Sequence, residues 1–156
     1  MFRAALILFA LIATASLRAS QIDHALLAAA QEAIPSEVTT NELVSALQAG
    51  LWNSNRTAVA VSIPKPKASV VFVFIRQTNA TYLAVEASGV EGANFGKLGD
   101  AGRTGYSRFE TTPTRWLHRE DDRFQVVMRT RAWRAGKRYT VSEPLVINPS
   151  GTVLWR

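Results

Sequence analysis

Residues 57–87 read TAVAVSIPKPKASVVFVFIRQTNATYLAVEA, and this stretch decides the fold. Val59, Val61 and Ile63 alternate with Ala58, Ala60 and Ser62, the period-two pattern of a half-buried strand. Pro64 and Pro66 end that strand, because proline has no N–H to give to a ladder. Val70 to Ile75 is apolar at every position, which predicts a central strand covered on both faces. Asn79-Ala80 turns the chain into Tyr82 to Ala87, where Leu83, Val85 and Ala87 share a face. A connection this short joins antiparallel neighbours.

The same grammar continues toward the C-terminus. Strands are predicted at Phe109–Leu117, Arg123–Arg134 and Arg138–Ile147, with Gly136 in the turn between the last two. Asn148-Pro149-Ser150-Gly151 is a turn signal, and Thr152–Trp155 makes a last short strand. Toward the N-terminus the period changes. Ile22 to Ile34 is Ala-rich and reads as a helix that stops at Pro35. A second helix is predicted over Asn41–Ala49. Thr39 and Glu42 have capping-box spacing, Leu43, Ala46, Leu47 and Leu51 form the apolar stripe, and Gly50 stands at the C′ position. The expected fold is therefore mainly β (α+β). One or two N-terminal helices precede an antiparallel β-sandwich-like (Ig-like) domain of about six to seven strands.

The first twenty residues have the parts of a secretory signal. Arg3 opens it, Ala4 to Ala13 is unbroken apolar chain, and Ala13-Thr14-Ala15 and Leu17-Arg18-Ala19 offer cleavage sites. Ten apolar residues at 1.5 Å each cover about half of a ~30 Å hydrocarbon core, too little for a stable anchor. The expected organisation is a signal peptide at 1–20, a helical segment at 21–55 and a β domain at 56–156, the last two forming one globular unit. The expected location is periplasmic or secreted, with no transmembrane segment after cleavage.

The chain of 156 residues has no cysteine. That excludes a disulfide framework, a thiol nucleophile and cysteine-ligated metal. Its net charge of +6 is unevenly spread. Asp23, Glu32, Glu37 and Glu42 are the only charges in residues 20–55, while residues 56–156 hold 16 Lys+Arg against 8 Asp+Glu. Such a split suggests either a basic face for an anionic partner or an acidic segment that docks on the basic domain within the same chain.

The sequence carries no recognisable catalytic pattern. Six of nine glycines crowd into Ser88–Tyr106, a composition that predicts a long mobile loop. Its Gly96-Lys97 is not a P-loop, since Glu91 and Leu98 stand where Gly and Ser or Thr are needed. His118-Arg119-Glu120-Asp121-Asp122 is the densest ionisable cluster, yet four consecutive charges between two strands read as a solvated turn. No G-x-S-x-G elbow is present. No catalytic residue, metal ligand or cofactor is assigned.

The candidate site lies on the strand Arg123–Arg134. Phe124, Val126, Met128 and Ala132 should face the core, so Arg129, Arg131 and Trp133 should project together from the other side. Arg138 and Thr140 join them if the paired strand has the same facing. Guanidiniums beside an indole suit anionic sugars, lipid headgroups or acidic side chains. Export makes nucleic acid a poor candidate ligand. The function expected is a non-enzymatic binding or accessory protein of the cell envelope or secreted fraction. Two alternatives are a small hydrolase at the rim of the glycine-rich loop and a structural subunit that assembles by strand addition.

Overall fold

Alternating apolar chain folds here into two sheets, each wound in the order of its sequence. The computed structural model describes residues 22–34, 36–65, 69–87, 106 and 108–155. The expected signal at 1–20 and the glycine-rich segment apart from Tyr106 lie outside the described residues. The first sheet has the order β1 (Leu51–Trp52), β2 (Ala58–Pro64), β3 (Ser69–Arg76), β4 (Tyr82–Glu86). The second has the order β5 (Arg108–Leu117), β6 (Phe124–Arg134), β7 (Lys137–Ile147), β8 (Val153–Trp155). Every pairing is antiparallel. Among the described residues the strands thus number eight, not six or seven. Both sheets are meanders of consecutive strands, whereas an Ig-like arrangement needs Greek-key crossings between sheets. The added strand is β1. Leu51, which fits the stripe of the second helix by spacing, pairs instead with Ala60.

Helix α1 (His24–Ala33) and helix α2 (Thr40–Gln48) follow from local chemistry. Asp23 caps α1, its Oδ1 accepting the Ala25 N–H at 2.9 Å. Its Oδ2 accepts the Tyr82 hydroxyl at 2.9 Å, which ties the helix start to β4. Ile34 has left the helix at φ −93 and ψ 133, the extended conformation that a following proline imposes. The capping box on α2 forms as the sequence predicts. Glu42 N–H donates to Thr39 Oγ1 at 3.3 Å, and Thr39 N–H donates to Glu42 Oε2 at 2.9 Å. Gly50 follows the C-cap Ala49 and so stands at C′ as expected. Its φ is not positive, so it is not there for a left-handed turn; a Cβ there would lie 2.7 Å from Val59 Cγ2 and 3.0 Å from Leu47 O. What this position requires is small size where the helix end meets β2.

The first sheet is the middle of three layers. Val59, Val61, Ile63, Phe72, Phe74 and Tyr82 pack against Leu26, Ala30, Leu43 and Leu47 of the helices. Ala58, Ala60, Val71, Val73, Ile75 and Val85 pack against Val126, Met128, Leu145 and Ile147 of the second sheet. Strand β2 is therefore buried on both faces, not half-buried. Its alanines read as a weak outer face in sequence, but they form the small face over which β5 crosses. Strand β5 lies across β1, β2 and β3 and is fastened there by side chains. Trp116 Nε1 donates to Leu51 O at 2.8 Å, and the hydroxyls of Ser62 and Ser69 both donate to Thr111 O, at 2.9 and 2.8 Å. An edge strand whose carbonyl is occupied this way is a poor template for aggregation.

The long hairpin of β6 and β7 turns in two residues, Ala135 at φ 47 and Gly136 at φ 75. Two positive φ angles are the signature of a type I′ turn, whose twist matches that of the strands it joins. The acidic helical segment does not dock on the basic face. It covers the first sheet, on the side away from the second.

Candidate binding face

Strand β6 carries the core on one face and the candidate site on the other. Val126, Met128, Thr130 and Ala132 are buried, while Arg129 is exposed and Arg131 and Trp133 are half-buried on the opposite side. The register carries this facing to both neighbours. Trp133 lies between Arg108 of β5 and Arg138 of β7. Arg131 lies between Glu110 and Thr140, and Arg129 between Thr112 and Ser142. The structure thus brings all four residues assigned from sequence, Arg129, Arg131, Trp133 and Arg138, onto one outer sheet face.

Two arginines of this face escape sequence reasoning. Arg108 stands beside Trp133, its Cζ 5.4 Å from the ring centroid, and also pairs with Glu110. Only the β5–β6 register could have placed it. Arg115 is the more instructive case. Simple alternation from Phe109 through Thr111 and Pro113 sends Arg115 inward. A bulge between Pro113 and Arg115 inserts Thr114, whose Oγ1 donates to Val127 O at 3.0 Å. The extra residue resets the pleat. Arg115 now pairs with Val127 on the outer face, and Trp116 pairs with Val126 on the core side. The face then holds Arg108, Arg115, Arg129, Arg131 and Arg138, with Glu110 as its carboxylate among the described residues of these rows.

The chemistry of such a face is bidentate recognition. A guanidinium offers parallel N–H donors that match a carboxylate, sulfate or phosphate, and it keeps its charge at any pH the fold meets. Thr112, Thr140 and Ser142 set hydroxyls between these charges. The apolar members of the next row, Val127 and Pro144, are half-buried.

The charged cluster 118–122 closes the β5–β6 turn, as its sequence suggests. Asp121 is clasped from two sides. Arg119 donates to it through Nε at 2.7 Å and a terminal nitrogen at 2.6 Å, and Arg123 donates at 2.8 and 2.6 Å. The Arg119 hydrogen bonds, then those of Arg123, hold the Asp121 carboxyl well below the ordinary carboxylate range. The carboxylate therefore stays ionised, and the clasp intact, well into acid. His118 is exposed at the edge of this turn, while His24 begins α1 in the helical layer, so the two histidines do not meet.

A cleft of about 690 Å³ separates this turn from the β1–β2 turn. Trp52, Trp116 and Arg119 line it, and Arg56 lies over Trp52 at 4.8 Å from the ring centroid. Most of its polar groups are already engaged. Asn53 Oδ1 accepts the N–H of Thr57 and Ala58, the Trp116 N–H is used by Leu51, and both guanidiniums of the turn hold Asp121. A second groove, about 540 Å³, runs between α2 and the end of β2, with Glu37, Glu42 and Lys65 on its walls. No protein-family model, curated protein or solved structure matches this chain.

Proposed function

We propose that this protein is exported and acts without catalysis, as a binding or accessory component of the cell envelope or secreted fraction. Its ligand-bearing surface is the outer face of the second sheet. The observation that carries this reading is the row Arg108–Trp133–Arg138, continued by Arg131 and Arg129 on the rows that follow. Charges of one sign on a flat sheet repel one another, and folding gains little from them. Grouped around an indole, they are suited to an anionic partner.

The test is the double variant Arg129→Ala with Arg131→Ala, titrated with polygalacturonate and with vesicles containing anionic phospholipid. Its thermal unfolding should match that of the parent, since both side chains lie on the outer face. Binding should weaken at least about tenfold. A charge-assisted hydrogen bond is worth about 1.5–3 kcal/mol, and about 1.4 kcal/mol is a factor of ten. The salt dependence of binding should also fall, because fewer screened contacts remain. Equal affinity at every ionic strength would remove the basis for this reading.

Export is the second part of the proposal and rests on Arg3 and the apolar run Ala4–Ala13. N-terminal sequencing of the protein recovered outside the cytoplasm should begin between Ser16 and Gln21. Recovery of intact Met1 on a membrane-bound protein would contradict it.

Strand addition is the weaker reading. Strand β8 pairs with β7 only at Leu145, Val146 and Ile147, so the outer edge of Lys137–Ser142 has no ladder partner among the described residues. Lys137 and Arg138 on that edge oppose pairing with a second copy. A concentration-dependent oligomer would reverse this order. A hydrolytic site at the rim of the glycine-rich loop concerns residues outside those described.

A further inference from the structure

The geometry points to an extended acidic polysaccharide as the partner, lying along β6 from Trp133 to Val127 and read by one guanidinium row after another. This rests on the binding reading above and names its ligand class. Four successive rows of the outer face each present at least one arginine. Arg138 and Arg108 flank Trp133, Arg131 follows, then Arg129, and the bulge delivers Arg115 to the row of Val127. Same-face residues recur every two positions, so the rows stand about 6.6 Å apart and the ladder spans about 20 Å. Regular spacing along a line matches a polymer that carries a negative group on repeated units. A single small anion would need converging donors instead.

The residues between the arginines favour a sugar chain over the alternatives. Thr140 stands beside Arg131, and Thr112 and Ser142 stand on either side of Arg129. Hydroxyls placed between charges can donate to and accept from the hydroxyls of a sugar. A bilayer surface calls for something else, namely exposed apolar side chains that enter the headgroup boundary. Here Val127 and Pro144 are half-buried, and Trp133 is half-buried beneath Arg108. Single-stranded nucleic acid is held by a series of aromatic platforms, one for each stacked base. The four rows contain one, Trp133.

The ladder also has a built end. Beyond Arg115 the β5–β6 turn presents Glu120, Asp121 and Asp122. Asp121 is occupied by Arg119 and Arg123, which leaves Glu120 and Asp122 as exposed negative charges at the ladder's limit. An anionic chain is turned away there, so the track has a finite length.

Length dependence tests this directly. Oligogalacturonates of graded length are titrated into the full chain at fixed low salt, with anionic phospholipid vesicles measured alongside. Kd should fall at least about tenfold from the disaccharide to an oligomer of about 20 Å, and then level off, because each added unit meets another row until the rows run out. Arg115→Ala should cancel the last part of that gain for the long oligomer and weaken the disaccharide, which can use the other rows, by less. Arg115→Lys should restore part of it, since lysine keeps the charge and loses the fork. The inference is overturned if Kd does not depend on length, if Arg115→Ala binds the long oligomer as tightly as the parent, or if vesicles bind more tightly than any oligomer. In each of those cases binding that still requires Arg129 and Arg131 leaves the proposed function standing. Absence of binding to both probes removes the two together.

Discussion

Replacing Met128 by alanine should cost about 2–5 kcal/mol of stability, the usual range for truncating a large buried apolar side chain. Met128 is 1% exposed and sits in the cluster that joins the two sheets, with Val71, Val73, Leu145 and Ile147. Its cross-strand neighbours are Pro113 and Glu143, and Glu143 is itself buried. The space left by the thioether cannot close easily, because a proline in β5 and ladders on both sides fix the backbone around it. A domain of this size has about 5–15 kcal/mol in total, so the loss is a large share. Chemical denaturation with an unchanged m-value would measure it. A change below about 0.5 kcal/mol would mean that Met128 faces solvent and that β6 is out of register by one residue. In that case the arginines of the candidate face would point inward, so this stability measurement also checks the geometry of the site.

Phe74→Ala should be at least as damaging, about 3–5 kcal/mol, and in a different part of the molecule. Phe74 is fully buried at 0% exposure and packs in the cluster of the first sheet with Leu26, Leu43 and Leu47. Its ring stacks near that of Phe72, with centroids 6.2 Å apart. Removing it opens a cavity in the cluster on which both helices pack. Helices this short are marginal by themselves in water. Amide exchange should therefore quicken in His24–Ala33 and Thr40–Gln48 before it does in β6 and β7. The melting temperature should fall by roughly 10–20 °C. Uniform acceleration throughout the chain would indicate that the helices and both sheets open as one unit, and that the two clusters are energetically one core. Distant sites add, so the double variant with Met128→Ala should show the sum of the two losses if the clusters are independent.

Local patterns determined much of this protein. The apolar patterns of 57–87 and 109–147 specified strands, their short connections made the neighbours antiparallel, and the spacing of Thr39 and Glu42 specified the start of α2, because each signal acts within a few residues of chain. The facing of Arg129, Arg131 and Trp133 was legible for the same reason. Strand geometry forces neighbours to opposite sides, and Val126, Met128 and Ala132 named the inner one. Tertiary structure decided what depends on distant chain. Whether Ala58 and Ala60 face solvent or a second sheet is settled by the passage of β5 over them, and small side chains are compatible with either. Gly50 is required by the approach of Val59, which lies in another element. Arg108 reaches Trp133, 25 positions further along the chain, only through the register of β5 on β6, a separation at which no local rule applies. The bulge at Thr114 decides whether Arg115 joins the basic face or the core. An extra residue in a strand leaves no mark in the hydrophobic pattern until the partner strand shows which positions are opposed.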